Sequence, residues 1–496
     1  MARFTIVTFG CQMNEHDSAR IAEILATAGH HPVESVESAD VVVLNTCSVR
    51  EKAAQKLRSE VGRLGLVKNE RRDLLIVVAG CLGQQEGKRL LTSAPEIDLV
   101  IGPDNIPELP ALLRELELGG PRRIATGFDL DSPTFLSANT AVGRPPPATY
   151  VTVMKGCDER CSFCIVPYTR GAERYRPARQ IIEEVESLVA SGVSEVTLLG
   201  QTVNSYRDPE QQLPKAPASE IDWVHTSRTN ASADESEFAA LLWELVARVP
   251  RLRRLRYTSP HPRHLTRALI EAHRGIPILA KHLHLPVQSG NNRVLRRMIR
   301  RYTREEYEER VESLLQAVPG LTLSTDIIVG FPGETPQEFE DTLSLVDQLR
   351  FVGVFAFKYS PRPFTPALKL EDDVSEAEKS ERLAALFDRH DPFRQAHLER
   401  LVGSVQHVLI EGTKADGAFT GRTERNEIVH VAASSDITGE ILPVKIARAF
   451  KNSLAAELLD ESRRIPANEL PRLAAAPSSG NLRHQPAVEK RLLPVI

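Results

Sequence analysis

Cysteine is the residue that most constrains this chain. Only six occur in 496 residues, and they are not scattered. Three fall within "CDERCSFC": Cys157, Cys161 and Cys164, with three residues in the first gap and two in the second. The other three, Cys11, Cys47 and Cys81, each follow a short apolar run: "RFTIVTFG", "DVVVLNT" and "DLLIVVAG". An even count is compatible with three disulfides, and a single cysteine is often a buried thiol. The first residues, "MARFTIVTFGCQMNEHDS", read as a β-strand and not as a secretory signal. No run of eighteen apolar residues occurs, so no membrane span is expected. A cytoplasmic protein is therefore expected, its cysteines kept as thiols or metal ligands.

A chain this long exceeds one hydrophobic core and should hold two to four domains. Over residues 2–118 short apolar runs alternate with helical patterns. "NEHDSARIAEILATAG" reads as a helix with Asn14 as N-cap and Gly29 as C-cap. Such alternation predicts a doubly wound parallel sheet, whose strand-end loops all open on one edge. Cys11, Cys47 and Cys81 are then expected to converge there. Residues 119–145 are rich in Gly, Pro and Ser and read as a linker. From 146 to 397 six strands, from "TYVTVMKG" to "FVGVFAFKYS", alternate with helices. They predict a partial (βα)6 barrel with its site at the strands' carboxyl ends, where the Cys157 group lies. The polar stretch 207–235 reads as a mobile surface insertion. Residues 400–463 read as a small all-β barrel, and 464–496 as a disordered tail. The net charge of −4 excludes a protein that coats nucleic acid; any such contact must come from local basic patches.

Three cysteines leave a metal incomplete. Catalytic zinc keeps three protein ligands and one open position. A 4Fe–4S cluster takes one ligand per iron, so three thiolates leave one iron free. The spacing by itself leaves both readings open.

"CDERCSFC" resembles the CxxxCxxC motif of radical S-adenosylmethionine (AdoMet) enzymes, with Phe163 before the last cysteine. The resemblance implies that Cys157, Cys161 and Cys164 hold a 4Fe–4S cluster. Its open iron would chelate AdoMet, which is cleaved to a 5′-deoxyadenosyl radical. "DIIVGFPGET" is similar to the strand end that lines the AdoMet pocket, with Gly330, Gly333 and Glu334. "LLGQTVNSY", with Gln201 and Asn204, and "LPVQSG", with Gln288, resemble further segments facing that cavity. Together with Phe163 these are the expected cofactor contacts.

A cysteine-bearing domain ahead of such a barrel resembles the methylthiotransferases. The resemblance implies a second 4Fe–4S cluster on Cys11, Cys47 and Cys81, whose open iron carries the sulfur to be inserted into a C–H bond. "TFGCQMNEHDS" and "NTCSVREKAAQK" are similar to the branch acting on N6-isopentenyladenosine just 3′ of the tRNA anticodon. The same chemistry on threonylcarbamoyl-adenosine or on a ribosomal protein is the alternative, and a non-catalytic zinc protein that binds RNA is a remote one. The last domain resembles the OB-like TRAM module. Its candidate RNA contacts are Lys414, Arg422, Arg425, Arg448 and Lys451, with Phe419 and Phe450 as stacking or core residues. The implied partners are tRNA and an electron donor such as flavodoxin or ferredoxin. A monomer is expected. "SPRPFTPA" is similar to a family segment, with Phe364 where a glycine is usual.

Other residues carry weaker signals. Met13 and Met154 read as packing residues. His282 and His284 alternate on a strand and should share a face. Asp158, Glu159 and Arg160 read as solvated or AdoMet-adjacent charges. Arg170 and Arg174 read as partners for a substrate phosphate or the AdoMet carboxylate.

Overall fold

The computed structural model describes residues 1–140, 145–216, 235–414 and 417–460. It divides into two units, Met1–His397 and Leu398–Ile496. Residues 217–234 of the expected insertion and the whole expected tail lie outside the described residues.

The first unit opens with β1 (Arg3–Phe9), α1 (Gln12–Thr27), β2 (His31–Pro32), β3 (Val41–Thr46), α2 (Glu51–Glu70) and β4 (Leu75–Ala79). It continues with α3 (Cys81–Ser93), β5 (Leu99–Ile101), α4 (Leu109–Glu117) and β6 (Arg123–Ala125). The sheet order is β2-β1-β3-β4-β5-β6, and all pairs are parallel. Every residue of β3 is buried, as expected for a central parallel strand covered on both faces. Phe9 pairs with Thr46 and Asn45 with Ala79, so the residues after β1, β3 and β4 leave the sheet at one edge.

Two expectations need correction here. The α1 helix starts earlier than its apolar pattern suggests, and its N-cap is Cys11. Asn14 is buried inside the first turn, where its amide donates to Asn45 Oδ1 at 3.1 Å. A residue with cap chemistry has been taken up as a latch between α1 and β3. The expected linker is not wholly a linker either. "RIA" is too short to show a period of two, yet it pairs with β5 as the edge strand β6.

The central part comprises β7 (Ala148–Thr152), β8 (Met154–Lys155), α5 (Val166–Thr169), β9 (Arg174–Tyr175), α6 (Ala178–Ala190) and β10 (Glu195–Leu199). There follow α7 (Glu237–Arg248), β11 (Arg254–Tyr257), α8 (Arg267–Gly275), β12 (His282–His284), α9 (Asn292–Arg297) and α10 (Arg304–Ala317). The last elements are β13 (Thr322–Val329), α11 (Pro336–Leu349), β14 (Gly353–Lys358) and α12 (Glu376–Leu401). Strands β7, β10 and β11 form one parallel sheet, and β12, β13 and β14 another. A bridge from Leu255 to Leu279 joins them, with Ala280 N–H donating to Leu255 O at 2.9 Å. The result is a partial barrel of six parallel strands in chain order. The expected first strand "TYVTVMKG" breaks at Val153. Met154 and Lys155 instead pair antiparallel with β9, clamping the cysteine loop between them.

Arg176 and Glu184 form an ion pair that is almost wholly buried. Glu184 also accepts from Ala138 N–H at 2.7 Å and lies 3.6 Å from Arg20 of α1. Removing the carboxylate leaves two buried guanidinia without it. Glu184→Ala should therefore lose about 3–5 kcal/mol of stability. Urea unfolding of the full chain measures this, and a loss near zero would contradict it.

In the second unit, β15 (Val405–Thr413), β16 (Phe419–Arg422), β17 (Ile428–Val431), β18 (Ile441–Ala449) and β19 (Leu454–Leu458) close a barrel in the order β15-β16-β17-β19-β18. Val408, Ile410, Val429, Val444, Ile446 and Leu454 fill it. Among the described residues no helix is long and apolar enough to cross a membrane.

Candidate functional site

Each cysteine of the N-terminal sheet sits where a strand hands over to a helix. Cys11 caps α1, Cys47 follows β3 and Cys81 opens α3. Their approach depends on two glycines. A Cβ at Gly10 would lie 2.9 Å from Cys47 Cβ and 2.3 Å from Asn14 Oδ1. At Gly80, where φ is +92°, it would lie 2.3 Å from Asn45 Oδ1 and 2.9 Å from Thr46 O. Neither loop could come this close with a side chain there.

The thiols of this trio act on one another. Cys11 accepts a hydrogen bond from Cys47, and with help from the Arg170 guanidinium its thiol is lowered to about 6. The same contact, with burial, pushes Cys47 up. Burial also pushes Cys81 up, and Arg170 works against it. Arg170 Nε donates to Cys81 Sγ at 3.1 Å, and its Nη2 donates to Asp17 Oδ2 at 2.6 Å. Burial disfavours the Asp17 carboxylate, but Arg170 and His16 outweigh it and hold the group at about 2. Arg170 therefore faces this trio and not a substrate phosphate or the AdoMet carboxylate. Arg174 is likewise taken up by Asp104 and by the Asp129 and Arg170 carbonyls.

The second trio lies in the loop held by β8 and β9. Gly156, at φ +76°, turns the chain into it. Cys157 Sγ and Thr202 Oγ1 are 2.9 Å apart, and Arg300 Nη1 donates to Cys161 Sγ at 3.3 Å. Burial pushes Cys157 up to about 11, with Thr202 opposing, and pushes Cys164 up to about 12 with the added repulsion of Cys161. These thiols favour the protonated form unless a cation takes the proton's place.

The spacing of the sulfurs discriminates between metals. Three thiolates on one zinc at about 2.3 Å would lie within about 4 Å of one another. Among the described residues only Glu159, His261 and His264 bring three such ligand atoms within 4.8 Å of each other. Neither cysteine trio closes around a single ion. An all-sulfur donor set, spread wider than one ion allows and carrying a guanidinium on one sulfur, fits a polynuclear iron–sulfur cluster. The Glu159 group is a poor cation site, because Arg263 and Arg301 face Glu159 and Arg263, Arg300 and Arg310 face His261. Asp158 and Arg160 beside it are exposed, as a solvated pair would be.

The expected cofactor contacts divide. Gln201 lies at the carboxyl end of β10, and neither polar atom of its buried amide finds a partner among the described residues. Such an amide calls for a ligand. Gln288 holds a left-handed φ of +75° while its backbone bridges Asp326 O and Ile328 N. Asn204 is not available: its amide accepts from His261 N–H at 2.8 Å and donates to His261 O at 3.0 Å. Glu334 is buried and accepts from Gly330 N–H at 2.7 Å and from Arg382 at 2.7 Å. It shapes the turn. The space beside Gly330 is filled by Lys379 and that beside Gly333 by Arg297, so side chains, not a ligand, take up the room the missing Cβ atoms leave. Phe163 packs against the small apolar cluster of Val294, Met298, Phe331, Tyr359 and Ala367. His282 and His284 share a face, as expected, and their rings bond to Thr322 and Ser324. Met154 packs in the central core.

Thr202, Arg300 and Arg170 were not singled out as sulfur partners by the sequence. Thr202 could have been found, since it sits between Gln201 and Asn204 at a strand end. In the second unit Phe419 belongs to the core, whereas Phe450 lies under the Arg448 guanidinium at 5.0 Å. Lys414 is 3.2 Å from His430, Arg422 donates to Asn426 Oδ1, Arg425 pairs with Glu424, and Lys451 is exposed.

Residues 3–102 match the family described as "Uncharacterized protein family UPF0004", 151–346 the radical SAM superfamily and 399–459 the TRAM domain. The chain is 57% identical to tRNA-2-methylthio-N(6)-dimethylallyladenosine synthase of Sorangium cellulosum, over 100% of this chain and 99% of the relative. The protein of the same name from Acidithiobacillus ferrooxidans is 44% identical over 94% and 100%. A solved radical S-adenosylmethionine methyltransferase, TsrM from Kitasatospora setae, is 14% identical with a TM-score of 0.48, covering 83% of this chain and 79% of that one.

Proposed function

The chain belongs to the tRNA-2-methylthio-N(6)-dimethylallyladenosine synthase family, and we propose that it does so with two 4Fe–4S clusters and AdoMet. It is an enzyme that places a methylthio group on carbon 2 of N6-isopentenyladenosine just 3′ of the tRNA anticodon. Cys157, Cys161 and Cys164 would hold one cluster; Cys11, Cys47 and Cys81 would hold the other. When bound, the first supplies an electron and an iron open to AdoMet, and the second an open iron for the sulfur.

The chain's own residues do the positioning. Thr202 and Arg300 fix the sulfurs of Cys157 and Cys161. Arg300 also places a permanent positive charge beside a buried anionic set, which such a set requires. The Gln201 amide, without a partner among the described residues, orients a polar ligand at the barrel mouth. Gln288 holds the strand end after β12 in its left-handed turn. The target adenosine lies in a single-stranded loop, so it leaves its stack at modest cost. On the TRAM barrel, exposed Lys445, Arg448 and Lys451 beside Phe450 supply phosphate contacts that carry no sequence information. The electron donor is a flavodoxin or ferredoxin, the protein acts as a monomer, and the reaction occurs in the cytoplasm.

The observation that carries this reading is the pair of open, all-cysteine sets, each with a guanidinium on one sulfur. Mass spectrometry of tRNA nucleosides from a strain lacking the protein tests it. 2-Methylthio-N6-isopentenyladenosine should vanish and return with the restored gene. Its persistence in the deletion strain would overturn the substrate. Purified protein should carry about eight irons per chain with equal sulfide; colourless zinc protein would overturn the chemistry.

A further inference from the structure

Arg170 is part of the barrel's cysteine loop, yet its side chain ends in the N-terminal site. It is 4% exposed. Nε meets Cys81 Sγ at 3.1 Å, and Nη2 meets Asp17 Oδ2 at 2.6 Å. Asp17 lies 3.6 Å from His16 Nδ1, and the His16 ring is 3.3 Å from Thr152 Oγ1. The chain of contacts therefore runs from a sulfur of the N-terminal sheet through a barrel guanidinium, then through α1, and back to a barrel strand. The Arg170 carbonyl is held as well, by Arg174, which is anchored on Asp104. A long side chain fixed at both ends in this way cannot swing aside to serve a substrate.

We propose that Arg170 is a positioning residue for the N-terminal site: it holds Cys81 and sets the reduction potential of the cluster bound there, so that barrel docking completes the site. The inference rests on the reading of Cys11, Cys47 and Cys81 as ligands of a second cluster. A fixed positive charge with a hydrogen bond to a ligand sulfur favours the reduced, more negative form of a cluster. Asp17 opposes it, because its carboxylate is shared with the same guanidinium. Removal of Arg170 and removal of the Asp17 charge should therefore act with opposite sign, which loss of packing alone would not produce. Lysine keeps the charge but lacks the planar fork that reaches Cys81 and Asp17 together.

The test uses the full chain with Cys157, Cys161 and Cys164 all replaced by Ala, leaving one trio, reconstituted with iron and sulfide. This parent should hold about four irons. Reduction potentials are then read by titration followed with electron paramagnetic resonance. Arg170→Met should lower the midpoint by about 59 mV or more, a tenfold change for one electron. Arg170→Lys should recover part of that shift, and Asp17→Asn should raise the midpoint. Unmoved potentials in variants that keep their iron would overturn the role of Arg170 alone. Shifts of one sign in Arg170→Met and Asp17→Asn would do the same. If Arg170→Met fails to hold iron, Asp17→Asn decides: a raised midpoint supports the proposal and an unchanged one overturns it. A parent without iron would overturn the second-cluster reading, and this inference with it.

Discussion

Replacing Cys47 with alanine should stop sulfur insertion while cleavage of AdoMet to 5′-deoxyadenosine continues. The expectation follows from where the thiols sit. Cys47 follows β3 of the N-terminal sheet, is almost wholly buried, and is acted on by Cys11 and Cys81. Cys157, Cys161 and Cys164 have partners of their own, in Thr202, Arg300 and one another. Losing one of three thiolates should lower methylthio product by at least about 100-fold, beyond what loss of a residue behind a ligand costs. Cys161→Ala should instead abolish cleavage, because its sulfur is the one that Arg300 holds. Chromatography of 5′-deoxyadenosine and of tRNA nucleosides, with a chemical reductant, separates the two. If Cys47→Ala loses cleavage while the other trio keeps its iron, the division of labour between the modules is wrong.

The parts of this site that were legible in the sequence are those written in short-range pattern. Apolar runs ended by Gly or Thr and Cys marked the strand ends of the N-terminal sheet, and parallel topology sent them to one edge. The closed barrel of the second unit was legible for the same reason: short strands separated by charged turns. Pairings across long separations were not legible. Arg170 meets a cysteine 89 positions away and Arg300 one 139 positions away, and neither has local chemistry that announces it. Strand-end polar residues were read as facing the cavity because such positions often do. Asn204 and Glu334 show the competing demand: irregular backbone at a strand end needs hydrogen bonds of its own, and these side chains meet it. A departure from family pattern was informative where it touched backbone geometry. Phe364 stands where glycine is usual, holds φ at +68°, and is largely exposed. A left-handed position of this kind is where glycine has its advantage.

Gly156→Ala should be as damaging to AdoMet cleavage as the loss of a cysteine ligand. This residue joins β8 to the cysteine loop at φ +76°. A Cβ would lie 1.9 Å from Ala172 O, 2.5 Å from Ala172 C and 2.6 Å from Gly171 O. All three are backbone atoms, so no rotamer change relieves the overlap. The loop's base must open, and with it go the Cys157 N–H bond to Gly171 O at 3.2 Å and the pairing of Lys155 with Arg174. Backbone strain and overpacking together should remove roughly 2–6 kcal/mol. Gly119→Ala separates these terms, since Gly119 has φ +84° but nothing within 4 Å of its would-be Cβ. It should show only the strain, about 1 kcal/mol. Iron in Gly156→Ala protein should fall from about eight to about four or fewer per chain, since the distorted loop can no longer present three sulfurs. Full iron and undiminished 5′-deoxyadenosine in this variant would show that the hairpin does not set the geometry of the cysteine loop.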